Sequence, residues 1–256
     1  MSKSRPRNRQ GSARAKNLST NSVRSENWLW GTHAVLAALA NPERRCERLV
    51  ASQNARRRGG AALSAAEDLA PGAIDALLPP GAVHQGVAGQ FTPLPETALE
   101  ELIAAETPRL VVLDQLSDPH NLGAVYRSAA AFGFSGIIHQ TRHAAALTGV
   151  VAKAAVGAVE RVATCRVVNI ARSLESLAEA GYHTVGLAGS GRNTVARAVA
   201  GADKLALVLG AEGPGLRPGV AKACAELARI PIAAEMESLN VSNAAAIAFY
   251  EASRSA

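Results

Sequence analysis

Short apolar runs alternate with longer segments of mixed polarity along the chain from residue 109 onward. Runs of this kind, bounded by turn residues, are typical of strands buried on both faces. The pattern predicts strands near 109–113, 136–139, 162–168, 182–188, 204–209 and 228–232. The intervening segments predict helices, most clearly at 122–132, 148–157 and 172–180. Strands that alternate with helices favour an α/β domain with a mainly parallel sheet.

The first part of the chain has a separate, smaller pattern. It predicts a hydrophobic staple and helix over 28–39, a strand over 48–51, helices over 61–69 and 72–78, and a glycine-interrupted strand over 84–91. Prolines and acids between 93 and 108 are typical of a linker. We therefore expect four regions: a tail over 1–26, a small domain over 27–92, a linker over 93–108 and a larger domain over 109–256.

One segment joins a strand to a helix through a polar turn. After the strand at 109–113, Asn121 is expected to cap the helix over 122–132, and Gly133 to end it. Arg127 would then lie in the second turn of that helix. Carboxyl ends of parallel strands are where α/β sheets bind ligands. Taken alone, however, the segment fits equally well a simple helix cap and a solvated arginine.

Two later segments strengthen the functional interpretation. An apolar strand leads into Gly210–Gly215, whose three glycines allow the backbone to approach a ligand closely. The turn matches neither a Walker loop nor a dinucleotide-binding fingerprint. Further on, the strand-like run 228–232 contains Pro231 and is followed by Ser238-Leu239-Asn240 at the start of a closing helix.

Together, the helix with Asn121 and Arg127, the Gly-Ala-Glu-Gly turn at 210–213 and Ser-Leu-Asn-Val at 238–241 resemble three motifs of one family. This is the SpoU-TrmH family of the SPOUT class, the ribose 2′-O-methyltransferases of ribosomal and transfer RNA. The pieces Trp-Gly-Thr-His-Ala-Val at 30–35 and His-Gln-Gly-Val-Ala at 84–88 resemble the small α/β substrate-binding domain of its 23S ribosomal RNA branch. The resemblance implies a trefoil-knotted C-terminal α/β domain, a homodimer and S-adenosyl-L-methionine as the cofactor.

The resemblance also implies roles for individual residues. The implied catalytic residues are Arg127, Asn121, Glu212, Ser238 and Asn240. The implied cofactor-binding residues are Gly210, Ile230, Leu239, Leu187, Gly189, Gly213 and Pro231. Because an arginine side chain is a poor general base, we expect Arg127 to orient the 2′-hydroxyl and a neighbouring phosphate rather than to remove the proton.

The positive charge is concentrated near the N-terminus. The chain carries a net charge of +6, and its first 25 residues hold seven bases and no acid. A polar basic tail of this kind is predicted to be disordered and to bind RNA phosphates. A mitochondrial transit peptide is the competing interpretation, but the tail has few apolar residues for an amphipathic face. The arginine triplet Arg56, Arg57 and Arg58 is a second candidate for RNA phosphate contacts.

Several classes of protein are disfavoured. No apolar run reaches the ~20 residues that span a bilayer, and the polar first residues do not form a signal peptide, so we expect a cytoplasmic protein without membrane contact. Cys46, Cys165 and Cys224 are far apart, and no metal is expected.

Three functions stay open. The leading one is 2′-O-methylation of a guanosine ribose in 23S ribosomal RNA. The others are the same reaction on transfer RNA and a non-catalytic RNA-binding factor for ribosome assembly. The intact motif residues disfavour the non-catalytic factor.

Overall fold

A computed structural model describes residues 27–142 and 144–254. The basic tail expected over residues 1–26 lies outside the described residues. In the first part of the described chain the elements are β1 (Trp28–Trp30), α1 (Thr32–Ala40), β2 (Cys46–Ala51), α2 (Gln53–Gly59), a 3₁₀ turn (Gly60–Leu63), β3 (Glu67–Asp68), α3 (Pro71–Asp75) and β4 (Val87–Phe91). Their strands form a mixed sheet in the order β1-β4-β2-β3, in which β4 is antiparallel to both of its neighbours.

This small domain differs locally from the prediction. The strand predicted at 48–51 is confirmed within β2, but the helix predicted over 61–69 is wrong. The helix lies earlier, as α2, because the Ser52 side chain caps its start by accepting a hydrogen bond from the Ala55 N–H at 3.4 Å. Gly60, with φ +55°, then ends it. Part of the predicted segment 61–69 instead forms the edge strand β3.

The larger sheet begins after a helix. Its elements are α4 (Leu99–Ala104), β5 (Arg109–Leu113), α5 (Pro119–Ala131), β6 (Gly136–Gln140), α6 (Gly149–Ala155), a 3₁₀ turn (Ala158–Glu160), β7 (Ala163–Val167), α7 (Ile170–Glu179), β8 (His183–Leu187), β9 (Asn193–Thr194), α8 (Val195–Ala198), β10 (Leu205–Leu209), α9 (Pro218–Ala223), β11 (Glu226–Arg229) and α10 (Val241–Arg254). The strand order is β7-β6-β5-β10-β8-β11-β9, and every neighbouring pair is parallel. The predicted α/β class with a mainly parallel sheet is confirmed.

Both faces of the large sheet are covered. Because side chains alternate along a strand, Val111 and Leu113 of β5 face one core, and Leu110 and Val112 face the other. The first core includes buried residues of α5, α6 and α10. The second includes residues of α4, α7 and α9. Helix α4 lies inside the segment predicted as a linker, and its apolar side chains belong to the core of the larger sheet.

Two boundaries in the larger domain correct the sequence interpretation. Asn121 is not the cap of α5: the Asp118 carboxylate accepts the Asn121 N–H at 2.9 Å, and Pro119 occupies the first helical position. The last strand is β11 at Glu226–Arg229 rather than 228–232, because Pro231 has no N–H to give to the strand ladder. The predicted end of α5 at Gly133 is confirmed by its φ of +76°.

None of the helices in the described part of the chain is long and apolar enough to cross a membrane.

Candidate active site

A cavity of about 660 Å³ opens beside the carboxyl ends of β8, β10 and β11. Four stretches of chain form most of its wall: 187–190, the turn 209–216, Ile230 with Ile232, and 237–241. These stretches follow parallel strands, which is where open α/β sheets bind small molecules. The wall combines apolar side chains with exposed backbone, a composition suited to a flat heterocycle with a few polar groups.

The glycine turn is closed on itself. Ala211 and Gly215 exchange two backbone hydrogen bonds of 3.1 and 3.0 Å. A Cβ added at Gly210 would lie 2.2 Å from the Gly215 carbonyl carbon and 2.4 Å from the Leu216 nitrogen. Gly213 has a φ of +82°, which favours glycine. The turn therefore needs glycine for two reasons, close backbone approach at its entrance and a left-handed backbone at its tip.

A buried ion pair anchors the exit of this turn. Asp114 follows β5 and is fully buried, and Arg217 lies just after the turn, with its side chain 40% exposed. One carboxylate oxygen accepts the Arg217 Nε–H at 2.7 Å and lies 2.6 Å from Nη2. The other accepts the Arg217 backbone N–H at 3.0 Å. Three charge-assisted contacts therefore fix the turn to the end of the central strand.

Three polar side chains meet at the rim of the cavity. The Asn121 and Asn240 amides both donate to the Glu212 Oε1, at 2.7 and 2.8 Å. The Asn240 amide nitrogen also lies 3.1 Å from the Asn121 Oδ1. Among the described residues, the second Glu212 oxygen makes no hydrogen bond. This cluster, called the rim triad below, holds one carboxylate in a fixed position with a free oxygen for a ligand.

Most residues predicted for the site lie at the cavity. Leu187, Gly189, Gly210, Glu212, Gly213, Ile230, Ser238, Leu239 and Asn240 line it. Asn121 reaches it through the rim triad. Pro231 is not part of the wall, although the residues on both sides of it are.

Arg127 occupies a different position from the other predicted catalytic residues. It is exposed on α5 and does not line the cavity. It makes no hydrogen bond or ion pair within residues 27–142 and 144–254. Six residues along a helix correspond to a rotation of about 240°, so Arg127 and Asn121 do not share a helix face. Within one chain, the structure does not bring Arg127 to the rim triad.

The arginine triplet lies on α2 and has local partners. Arg56 donates to the Ser64 carbonyl at 3.0 Å and lies 3.9 Å from the Asp68 carboxylate. Arg57 donates to the Asn54 side chain. Arg58 donates to the Gln85 carbonyl at 3.3 Å.

One buried histidine lies on β6, outside the cavity wall. His139 is 1% exposed, and neither ring nitrogen has a hydrogen-bond partner. Burial, followed by the nearby Arg166 charge, lowers its pKa from 6.5 to about 4. His139 is therefore neutral at pH 7. Among the described residues, no group of three or more His, Cys, Asp or Glu side chains is arranged to hold a metal ion.

The sequence interpretation missed the Asp114–Arg217 pair. An acid directly after a buried strand was a usable signal, because such a carboxylate must find a partner. Arg217, which is 103 residues away, offered no matching signal in the sequence.

Comparisons with known proteins agree with this geometry. The SpoU rRNA Methylase family model matches residues 108–250. A second model, for RNA 2′-O ribose methyltransferase substrate binding, matches residues 28–97. The first match alone covers more than half of the chain.

Curated relatives and solved structures extend the comparison. The 23S rRNA (guanosine-2′-O-)-methyltransferase RlmB of Vibrio cholerae is 41% identical over 178 residues, 68% of this chain and 72% of that protein. An uncharacterized tRNA/rRNA methyltransferase of Synechocystis is 40% identical over 173 residues, but the chain spans only 45% of its length. An AdoMet-bound rRNA methyltransferase from Sinorhizobium meliloti shares the fold, with a TM-score of 0.74 over 93% of this chain and 90% of that one, at 24% identity. The resemblance drawn from the three motifs is thus confirmed, and the chain belongs to the SpoU rRNA methylase family.

Proposed function

We propose that this protein transfers a methyl group from S-adenosyl-L-methionine to the 2′-oxygen of a ribose, in a guanosine of 23S ribosomal RNA. The observation that carries the proposal is the rim triad, a polar cluster beside a cavity with apolar and backbone walls. The RlmB relative supports the choice of ribosomal RNA and of guanosine.

The cavity suits the proposed cofactor. Leu187, Ile230 and Leu239 supply apolar side chains for an adenine ring, and the glycine turn supplies backbone groups. A Cβ at Gly189 would meet nothing within 4 Å, so this side of the cavity is open. When bound, S-adenosyl-L-methionine supplies a methyl group on a positively charged sulfur, which needs positioning rather than activation. We assign cofactor binding to the seven residues predicted for it from the sequence. Pro231 itself does not line the cavity and would act by positioning Ile230 and Ile232, which do.

The rim triad would position the acceptor. The free oxygen of Glu212 can accept a hydrogen bond from a ribose hydroxyl, while the two asparagine amides keep that oxygen in place. Holding the 2′-oxygen in line with the methyl group is the main contribution the protein can make to this transfer. The transfer would move the methyl group from sulfur to the 2′-oxygen and would release neutral S-adenosyl-L-homocysteine, while the hydroxyl proton would pass to the surrounding water by way of its hydrogen bond to Glu212.

Arg127 keeps its proposed orienting role. Its guanidinium is exposed and without a partner among the described residues, so it is free to contact an RNA phosphate. Because it lies away from the rim triad of its own chain, this contact would orient the acceptor ribose through the RNA backbone. Ser238 lies in the exposed stretch before Asn240 and lines the cavity, so it would shape the path by which the RNA reaches the cavity.

A homodimer belongs to the proposal. Helix α10 exposes 37% of Ile247 and 48% of Tyr250, and the Tyr250 ring contacts Phe132 edge-on at 6.0 Å. An apolar surface beside an active-site element is typical of a contact between subunits. The cytoplasmic location expected from the sequence is also part of this proposal, as are a small RNA-binding domain over 27–92 and phosphate contacts by the arginine triplet.

Methyl transfer to purified RNAs tests the substrate. Purified protein and labelled S-adenosyl-L-methionine are incubated with unmodified 23S ribosomal RNA and, separately, with unmodified transfer RNA. We expect label in 23S ribosomal RNA and little in transfer RNA. Label in transfer RNA alone would overturn the ribosomal assignment, and binding of both RNAs without transfer would favour a non-catalytic factor.

A further inference from the structure

The two domains meet through a polar seam formed by the loop 84–86 and helix α6. The Gln85 side-chain oxygen accepts a hydrogen bond from Lys153 Nζ at 2.7 Å and from the Thr32 N–H at 3.2 Å. The Gln85 carbonyl accepts from Arg58 at 3.3 Å. We call Gln85, Lys153 and Arg58 the domain seam.

The backbone of the loop 84–86 forms a tight turn at the contact between the two domains. Gln85 has a φ of +58°, a left-handed conformation that is uncommon outside glycine. His84 Nδ1 stabilises the turn by accepting the Gly86 N–H at 3.0 Å. A Cβ at Gly31 would lie 2.3 Å from the Lys153 nitrogen, so the lysine side chain crosses directly over this glycine. The motif pieces at 30–35 and 84–88 therefore build the surface on which Lys153 rests.

The two cations of the seam, like Arg127 and Arg229, have no carboxylate partner among the described residues. Arg44, Arg48, Arg166 and Arg217 all pair with carboxylates. By contrast, Lys153 and Arg58 share the neutral oxygens of one glutamine, and neither forms a salt bridge with any described residue. The Asp75 carboxylate lies 3.1 Å from His84 Nε2, beside the same loop, but it pairs with neither cation. Two cations bound only to neutral oxygens can attract an anionic group.

A second contact, between Arg44 and Glu160, fixes the two domains relative to each other. Arg44 of the small domain donates to both oxygens of Glu160, at 3.1 and 2.9 Å, and Asn41 donates to the same carboxylate at 2.8 Å. The Arg44 and Glu160 side chains are only 8% and 5% exposed. A buried pair with several hydrogen bonds holds the domains in one orientation, which keeps the two cations ready for a ligand.

Helix α6, which carries Lys153, packs against α5, which carries Asn121 of the rim triad. Ala154, next to Lys153, packs against Gly123 of α5, where an added Cβ would approach it to 2.4 Å. Gly123 is two residues beyond Asn121 of the triad. Helices that pack this closely have axes ~8–10 Å apart. Asn121 and Gly123 are about 200° apart around α5, so an RNA strand that reaches both the seam and the triad has to pass around the start of this helix.

We infer that the domain seam is an RNA phosphate-binding site, where Lys153 of the catalytic domain and Arg58 of the small domain hold the same RNA that enters the cavity. The inference rests on the proposed function for the identity of the RNA. It adds a lysine outside the three motifs compared above and gives the contact between the small domain and α6 a role in RNA binding.

The salt dependence of RNA binding tests the seam. The probe is unmodified 23S ribosomal RNA, bound without cofactor between 50 and 200 mM salt, because each phosphate contact adds about 0.7–0.9 to the slope of log affinity against log salt. Lys153→Met and Arg58→Met keep the aliphatic stems and should each reduce the slope by about that amount, and the double variant by about twice as much. Lys153→Arg should restore it.

A control variant and a measurement of cofactor affinity distinguish a lost phosphate contact from a general loss of charge or of folding. Lys222→Met removes an exposed lysine from α9, on the opposite face of the sheet, and should leave the slope unchanged. Cofactor affinity should be the same in all variants that fold. An unchanged slope in Lys153→Met, or an equal loss in Lys222→Met, would overturn the inference. Since binding is measured without transfer, a wild-type protein that binds RNA in this way but methylates none would refute only the proposed function.

Discussion

The Asp114–Arg217 pair makes an asymmetric prediction about stability. Asp114 is fully buried, whereas the Arg217 side chain is 40% exposed. Arg217→Met leaves a buried carboxylate with a single backbone N–H donor, and breaking a buried pair in this way costs about 3–5 kcal/mol. Asp114→Asn keeps the side-chain shape and leaves a guanidinium that water can reach, so it should cost only about 1–2 kcal/mol.

Urea unfolding followed by far-ultraviolet circular dichroism measures both costs. Arg48→Met is the matched control, because its pair with Glu67 is exposed on both sides and is worth less than about 1 kcal/mol. Both site variants should also weaken cofactor binding, since the pair anchors the turn that lines the cavity. If Asp114→Asn proves as costly as Arg217→Met, the unpaired buried carboxylate is not the source of the loss.

Five further variants test the site and the buried histidine. Gly210→Ala should abolish cofactor binding in calorimetry, because its Cβ would lie 2.2 Å from backbone, whereas Gly72→Ala in α3, which has open space and lies outside the cavity wall, should bind normally. Glu212→Ala frees both asparagine amides and should lower kcat on the order of 100-fold, with little change in cofactor affinity. Arg127→Lys should nearly abolish turnover and spare cofactor binding; an equal loss of both would contradict its orienting role. Because the folded-state pKa of His139 is about 4 and the unfolded value about 6.5, the unfolded chain takes up the proton first as pH falls. The wild type should therefore lose about 3 kcal/mol of unfolding free energy relative to His139→Leu between pH 7 and pH 4, and parallel stability curves for the two proteins would refute this.

The sequence predicted the larger domain better than the smaller one. Apolar runs such as 109–113 and 204–209 coincide with central strands, because burial on both faces makes most polar side chains costly. The helix predicted over 61–69 failed because alanine favours helix in general, while a serine cap and a glycine pair placed the helix earlier.

Site residues could be predicted where a short stretch of sequence identifies them without knowledge of their partners. Glycines in a turn and an Asn-containing turn before a helix are visible in the sequence. The spacing of Asn121 and Arg127 gave no information about how the arginine faces the cavity. The partners of Asp114 and Lys153 lie 103 and 68 residues away along the chain, so only the folded chain identifies them.

The position of the transferred methyl group tests the central claim most directly. After reaction with labelled S-adenosyl-L-methionine, the 23S ribosomal RNA is digested with alkali, which cleaves next to free 2′-hydroxyls and spares a methylated ribose. We predict that the label remains in an alkali-resistant dinucleotide with guanosine on its 5′ side, and that Glu212→Ala removes it. Label released in mononucleotides would place the methyl group on a base and would contradict the assignment of the cavity and rim triad to ribose methylation.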